Sequence, residues 1–185
     1  MSSPLALLLS SLVALLMVAS PVQALGLGGL GMDVGYYLPD TSTVYPLAVF
    51  TQPSFVVGPG QETDGNVEDV THLLVDFSDD MLSIDLDTVL DCPTWGSAAF
   101  NGLIFTSFLP HAIASATVDD STTMAGFDDS RISFTDNQIL VNWAGLSYVD
   151  GTTVKINFTF VPEPGVALLL GCGLIGLAFA GSKRA

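Results

Sequence analysis

The sequence predicts an all-β fold: a single β-sandwich or jelly-roll-like domain flanked by two hydrophobic terminal segments. Three observations predict it. Across the 137 residues from Leu25 to Val161, apolar and polar residues alternate or form short β-branched and aromatic runs, with no sustained helical period. Gly, Pro, Asp and Asn interrupt these runs at short intervals, as turns do in sandwiches and jelly rolls. Charge is concentrated in the same stretch, which holds 18 acidic and 2 basic side chains, net −16, in a chain of 185 residues and net −15. A stretch of that length suffices for one core without disulfides.

The first element, residues 1–24, is almost entirely apolar from Leu5 to Val18 and carries no charged side chain. Pro21 then breaks the run, and Val22 and Ala24 occupy the −3 and −1 positions of a secretory cleavage site. Signal peptidase is expected to cut between Ala24 and Leu25, delivering the chain to an oxidising compartment. The expected strands follow as Val34–Leu38, Val44–Phe50, Phe55–Val57, Val67–Phe77, Met81–Asp87, Phe100–Leu109, Ile113–Val118, Arg131–Thr135, Gln138–Trp143 and Thr153–Val161. Asp136-Asn137 tolerates positive φ, so the two strands around it should form a hairpin. Asp150-Gly151 marks a turn, after which Val154, Ile156, Phe158 and Phe160 line one face of the last strand.

The last element, residues 162–185, begins with Pro162-Glu163-Pro164. It continues through uncharged Gly165 to Gly181 and ends in Ser182-Lys183-Arg184-Ala185. A helix of those seventeen uncharged residues would span about 25 Å, slightly less than a hydrocarbon core. Lys183 and Arg184 favour a cytoplasmic end, which puts the acidic domain outside. Motif, apolar segment and basic tip, in that order and spacing, resemble the PEP-CTERM sorting signal of Gram-negative bacteria. That resemblance implies export across the inner membrane, a transient anchor there, recognition by an exosortase, and release to the cell surface or an exopolysaccharide matrix. Phe100-Asn101-Gly102-Leu103-Ile104-Phe105, with the segments Arg131–Phe134 and Asn142–Leu146, is loosely similar to other small exported proteins bearing this tail, which implies a sandwich and no activity.

Glu62, Asp64, Asn66, Glu68 and Asp69 place hard oxygen ligands at near-alternate positions around Gly65, which makes them a candidate calcium site in a sandwich loop. An EF-hand is excluded, because its sixth position would be Asp69 and its twelfth Val75. Asp119-Asp120, Asp128-Asp129 and Asp76 with Asp79-Asp80 share the same ambiguity with a solvated acidic surface. Trp95, in the loop-like Cys92-Pro93-Thr94-Trp95-Gly96, is the candidate carbohydrate contact, whereas Trp143 lies in an alternating apolar set and reads as core. Cys92 reads as a buried thiol.

Nucleic acid is excluded as a partner, since Arg131 and Lys155 stand alone. Two cysteines exclude a disulfide framework and a Cys-rich zinc site. No Gly-x-Ser-x-Gly or His-Glu-x-x-His occurs, so no catalytic residue is assigned. The expected function is structural or adhesive, within or beside extracellular polysaccharide. A calcium-assisted carbohydrate-binding module is the alternative, with a matrix hydrolase behind it. Ice binding would need flat Thr-x-Thr ladders, and only Thr41-Ser42-Thr43 resembles one.

Overall fold

The computed structural model describes residues 26–161 and the single tail position 171. The signal segment, its cut site at Ala24 and Leu25, the motif Pro162-Glu163-Pro164 and the tip Lys183-Arg184 lie outside the described residues. Among the described residues no helix is long and apolar enough to cross a membrane.

Eleven strands run β1 (Gly31–Tyr37), β2 (Ala48–Phe50), β3 (Ser54–Val56), β4 (Thr63–Val67), β5 (Thr71–Phe77), β6 (Met81–Thr88), β7 (Gly102–Ser107), β8 (Ile113–Val118), β9 (Ile132–Phe134), β10 (Gln138–Asn142) and β11 (Thr152–Phe160). One sheet has the order β3-β1-β7-β10-β9 and the other β2-β4-β5-β6-β11-β8, with every pairing antiparallel. Their facing sides supply the core, as the alternating burial of β5, β6 and β11 requires. Leu73, Val75 and Phe77 from one sheet meet Leu103, Phe105, Ile139 and Val141 from the other. The Phe77 and Phe105 rings cross edge-to-face at 5.0 Å, joining the sheets at their centre. The all-β sandwich expectation is therefore met.

Two boundaries differ for identifiable reasons. The expected strand Val67–Phe77 is two strands, because Glu68 and Asp69 both adopt left-handed backbone (φ 55° and 57°) and reverse the chain. The Val70 N–H closes this turn on the Val67 carbonyl at 3.2 Å. The expected strand Val44–Phe50 shrinks to Ala48–Phe50 with an isolated bridge from Val44 to Tyr37, since Pro46 has no N–H to give a ladder. The hairpin at Asp136-Asn137 forms, but neither residue takes positive φ. Its carbonyls are instead occupied by the His111 and Ser107 N–H groups at 3.0 and 2.8 Å. Gly151 does take positive φ, 76°, in the turn before β11.

The register sets the polarity of the sandwich. At one end lie the β1–β2 and β6–β7 connections, the β4–β5 turn and the β10–β11 connection. At the other lie the β5–β6 turn, the β7–β8 loop and Val161, where the described domain stops.

Candidate functional site

At the end away from Val161, the two connections richest in aromatics meet. Trp95 comes from the β6–β7 connection, and Trp143 and Tyr148 from β10–β11. The two segments are stitched as a short ladder: the Trp95 N–H donates to the Leu146 carbonyl at 2.9 Å, the Gly145 N–H to the Trp95 carbonyl at 3.0 Å, and the Tyr148 N–H to the Pro93 carbonyl at 3.0 Å. A side-chain bond of 2.6 Å between Thr94 and Ser147 Oγ atoms closes the bridge. The Trp95 ring stacks on Tyr148 with centroids 4.6 Å apart and on Trp143 at 5.5 Å, and Tyr36 tilts against both indoles.

Below the rings lies a polar network in which almost every group is paired. The Tyr36 hydroxyl donates to Asn101 Oδ1 at 2.6 Å and accepts the Trp143 Nε1–H at 2.8 Å. Asn101 Nδ2 in turn donates to the Gly96 carbonyl at 2.9 Å. The Tyr148 hydroxyl sits 2.9 Å from Thr71 Oγ1, which is 2.9 Å from Thr88 Oγ1. At the rim the Tyr45 hydroxyl donates to Glu68 Oε1. Burial raises the Tyr36 and Tyr148 hydroxyls, and the bond to Glu68 raises Tyr45, so all three phenols stay protonated donors at neutral pH. The exception is Trp95. Its side chain is buried, yet its Nε1–H has no partner. Buried polar groups are paired as a rule, and an orphan asks for an explanation.

These residues enclose a cleft of about 230 Å³ lined by Tyr36, Tyr45, Glu68, Thr71, Trp95, Asn101 and Tyr148. Comparison with protein-family models, with curated proteins and with solved structures returns no match in any of the three.

The structure distributes the sequence-predicted residues unevenly. Trp95 is at the cleft, but its ring is 7% exposed and covered by other rings, so it is not the open stacking platform the loop-like sequence suggested. Trp143 is core, as expected. The segment Glu62–Asp69 is not a loop, since Thr63–Val67 is a strand and only Glu68-Asp69 turn. Glu62 faces the interior, where its two oxygens accept the Gly58 and Phe77 N–H groups at 3.0 and 2.7 Å, and burial holds its pKa above the usual carboxylate range.

Asp64, Asn66, Glu68 and Asp69 instead line an open depression of about 840 Å³ on the outer face, beside His72. His72 Nδ1 lies 2.9 and 3.1 Å from the two Asp64 oxygens, Asn66 Nδ2 donates to Asp69 at 3.3 Å, and Glu68 takes the Tyr45 hydroxyl. Among the described residues no group of three His, Cys, Asp or Glu side chains is arranged to hold a metal ion.

Asp119 and Asp128 are turn acids rather than a cage. Hydrogen bonds from Ser121 and then Asn157 bring Asp119 down to about 2, and Asp128 caps the 3-10 turn Asp129–Arg131. Cys92 is exposed, against the expectation of a buried thiol, and lies in the β6–β7 connection with left-handed backbone (φ 49°).

Of the cleft aromatics, the sequence offers Tyr36, in the Tyr36-Tyr37 pair, as a ring that could stack on a sugar, and misses Tyr45, Asn101 and Tyr148. The available signal for Tyr45 and Tyr148 was the recurrence of aromatics in Gly- and Pro-punctuated connections, where they extend the core beyond the strands.

Proposed function

We propose that this protein is an exported, noncatalytic surface or matrix protein whose sandwich holds one ring of a neutral saccharide in the Trp95 cleft. The carrying observation is the buried, unpartnered Trp95 Nε1–H at a cleft whose lining combines the Tyr36, Tyr45, Trp95 and Tyr148 rings with the polar side chains of Glu68, Thr71 and Asn101. Saccharides present apolar ring faces and hydroxyl oxygens, which such a lining complements. At about 230 Å³ the cleft suits a single ring rather than a longer ligand. The Nε1 atom is shielded from solvent, so a ligand oxygen reaches it by displacing a rim side chain, for which half-buried Tyr45 and exposed Leu90 are the candidates. Of the groups lining the cleft, Glu68 is the one carboxylate and it is engaged by Tyr45, which supports binding over hydrolysis. A domain of net −16 repels uronate-rich polymers and therefore favours uncharged glycans.

Delivery follows from the ends of the sequence. Signal peptidase cuts after Ala24. Gly165–Gly181 anchors the exported chain in the inner membrane, with Lys183 and Arg184 on the cytoplasmic side. Pro162 and Pro164 keep the segment between domain and anchor extended and accessible to an exosortase. The cleft, at the end away from Val161, then points away from the membrane.

A glycan array probed with residues 25–161 tests the binding half. Neutral glycans should be retained, and Trp95→Phe, which keeps an aromatic ring and removes the N–H, should weaken retention about tenfold. Equal retention by the variant, or none by wild type, overturns the reading. Mass spectrometry of the surface protein tests delivery, since intact Lys183-Arg184 would reduce the tail to a plain anchor.

A further inference from the structure

The end opposite the cleft carries its own chemistry. The β7–β8 loop presents Phe108 and Leu109, which are 62% and 57% exposed, followed by Pro110. Val161, 52% exposed, stands beside them, since its N–H donates to the Ala112 carbonyl of the same loop at 2.9 Å. The loop is firmly held. The Phe108 N–H donates to Gly31, the His111 N–H to Asp136, and Ser107 Oγ to the Leu109 carbonyl at 2.6 Å. The Phe108 ring lies so close over Gly31 that a Cβ there would meet it at 2.5 Å. His111 is buried behind the tip, with Nδ1 accepting the Ile113 N–H at 3.3 Å and Nε2 lying 3.4 Å from the Gln138 carbonyl. Other apolar side chains are exposed elsewhere on this acidic domain, Val49 and Val89 among them, but here an aromatic ring, Leu109 and Val161 are held together in one fixed tip, a surface seeking cover.

The occupant is indicated by where the chain goes next. Three residues, and so four Cα–Cα steps, separate Val161 from Gly165, the start of the uncharged seventeen-residue segment, so the tether reaches at most about 14 Å. We infer that the Phe108-Leu109 tip, with Val161, rests in the headgroup layer of the bilayer that holds the C-terminal segment. The inference rests on the reading of Gly165–Gly181 as that anchor.

Exposed Asp79, Asp80 and Asp136 lie at the same end and keep the contact shallow, favouring zwitterionic over anionic lipid. Two contacts, tail and tip, hold the sandwich upright where one tether would let it swing.

The full chain reconstituted in phosphatidylcholine vesicles, plain or brominated near the headgroup, tests this through Phe108→Trp. The native Trp95 and Trp143 lie beyond the far ends of strands such as seven-residue β1, about 20 Å away, and serve as internal controls. Brominated lipid should quench about half of the emission that Phe108→Trp adds, and leave wild type unchanged. Leu109→Trp should behave alike, which guards against local damage from either substitution. Equal emission in both lipids, from a chain that floats with the vesicles, overturns the tip contact and leaves the anchor standing. A chain that does not float removes the anchor and the inference together. A blue shift that grows with protein concentration and ignores bromine would assign the tip to a second copy of the chain and overturn the bilayer contact.

Discussion

Replacing Tyr36 by Phe removes a single oxygen from the centre of the aromatic end. That oxygen accepts the Trp143 Nε1–H at 2.8 Å and donates to Asn101 Oδ1 at 2.6 Å, and both partners are almost wholly buried (0% and 2% exposed). Phe fills the same volume, so no cavity term arises. The cost is two stranded polar atoms at about 1–3 kcal/mol each, or about 2–5 kcal/mol together, since Asn101 keeps its bond to Gly96 and loses one acceptor contact only. For a domain of this size that corresponds to a fall in melting temperature of about 6–15 °C. Residues 25–161 serve for the assay, because they hold the hydrophobic core formed among the described residues. Tyr37→Phe is the matched control: its hydroxyl makes no side-chain hydrogen bond among the described residues, and it should melt within about 0.5 kcal/mol of wild type. Equal midpoints for Tyr36→Phe and Tyr37→Phe would refute the network.

Three further outcomes follow from the same geometry. Glu62, raised by burial from its ordinary 4.5, lends stability below that pH and loses it as pH climbs through its folded value. His111, lowered by burial from 6.5, lends stability above that pH and loses it as pH falls through its folded value. The two therefore oppose each other between those limits, and urea midpoints of Glu62→Gln and His111→Gln across pH 4–8 should separate them, with Glu62→Gln also costing about 1–3 kcal/mol because its amide faces a backbone N–H. Gly102→Ala should cost about 3 kcal/mol in chemical denaturation, since the new Cβ would meet the Val141 carbonyl oxygen at 2.0 Å on the neighbouring strand. Excess calcium in place of chelator should leave the melting temperature unchanged, because Glu62 is turned inward and Asp64 and Glu68 are engaged by His72 and Tyr45, which leaves the unpartnered Asn66 Oδ1 too few companions for a calcium shell.

Period-two patterning made the sandwich legible. Ile139 and Val141, or Val154, Ile156 and Phe158, announce their buried face because a strand exposes alternate side chains to one medium. Ile113–Val118 coincides with the expected strand residue for residue. What local sequence could not convey was a turn that puts Glu68, with no preference for left-handed backbone, beside the more tolerant Asp69, a conformation the surrounding register imposes. The candidate site was legible in Tyr36 and Trp95 alone. Trp95 could be placed in a connection, but its pairing with Leu146 and its stacking on Tyr148 span some fifty positions of sequence, and no local period encodes such a contact. The same applies to Asp64 and His72, joined only through the β4–β5 pairing.

We propose the Trp95 indole N–H, which has no protein partner, as the donor to a saccharide oxygen. The two indole N–H resonances of ¹⁵N-labelled residues 25–161, assigned with Trp95→Phe, test it directly during titration with the neutral glycan that the array retains. Trp143, already bonded to Tyr36, should barely shift, while the Trp95 resonance moves downfield to saturation as its hydrogen bond forms. Saturation of binding with the Trp95 resonance stationary would contradict the account.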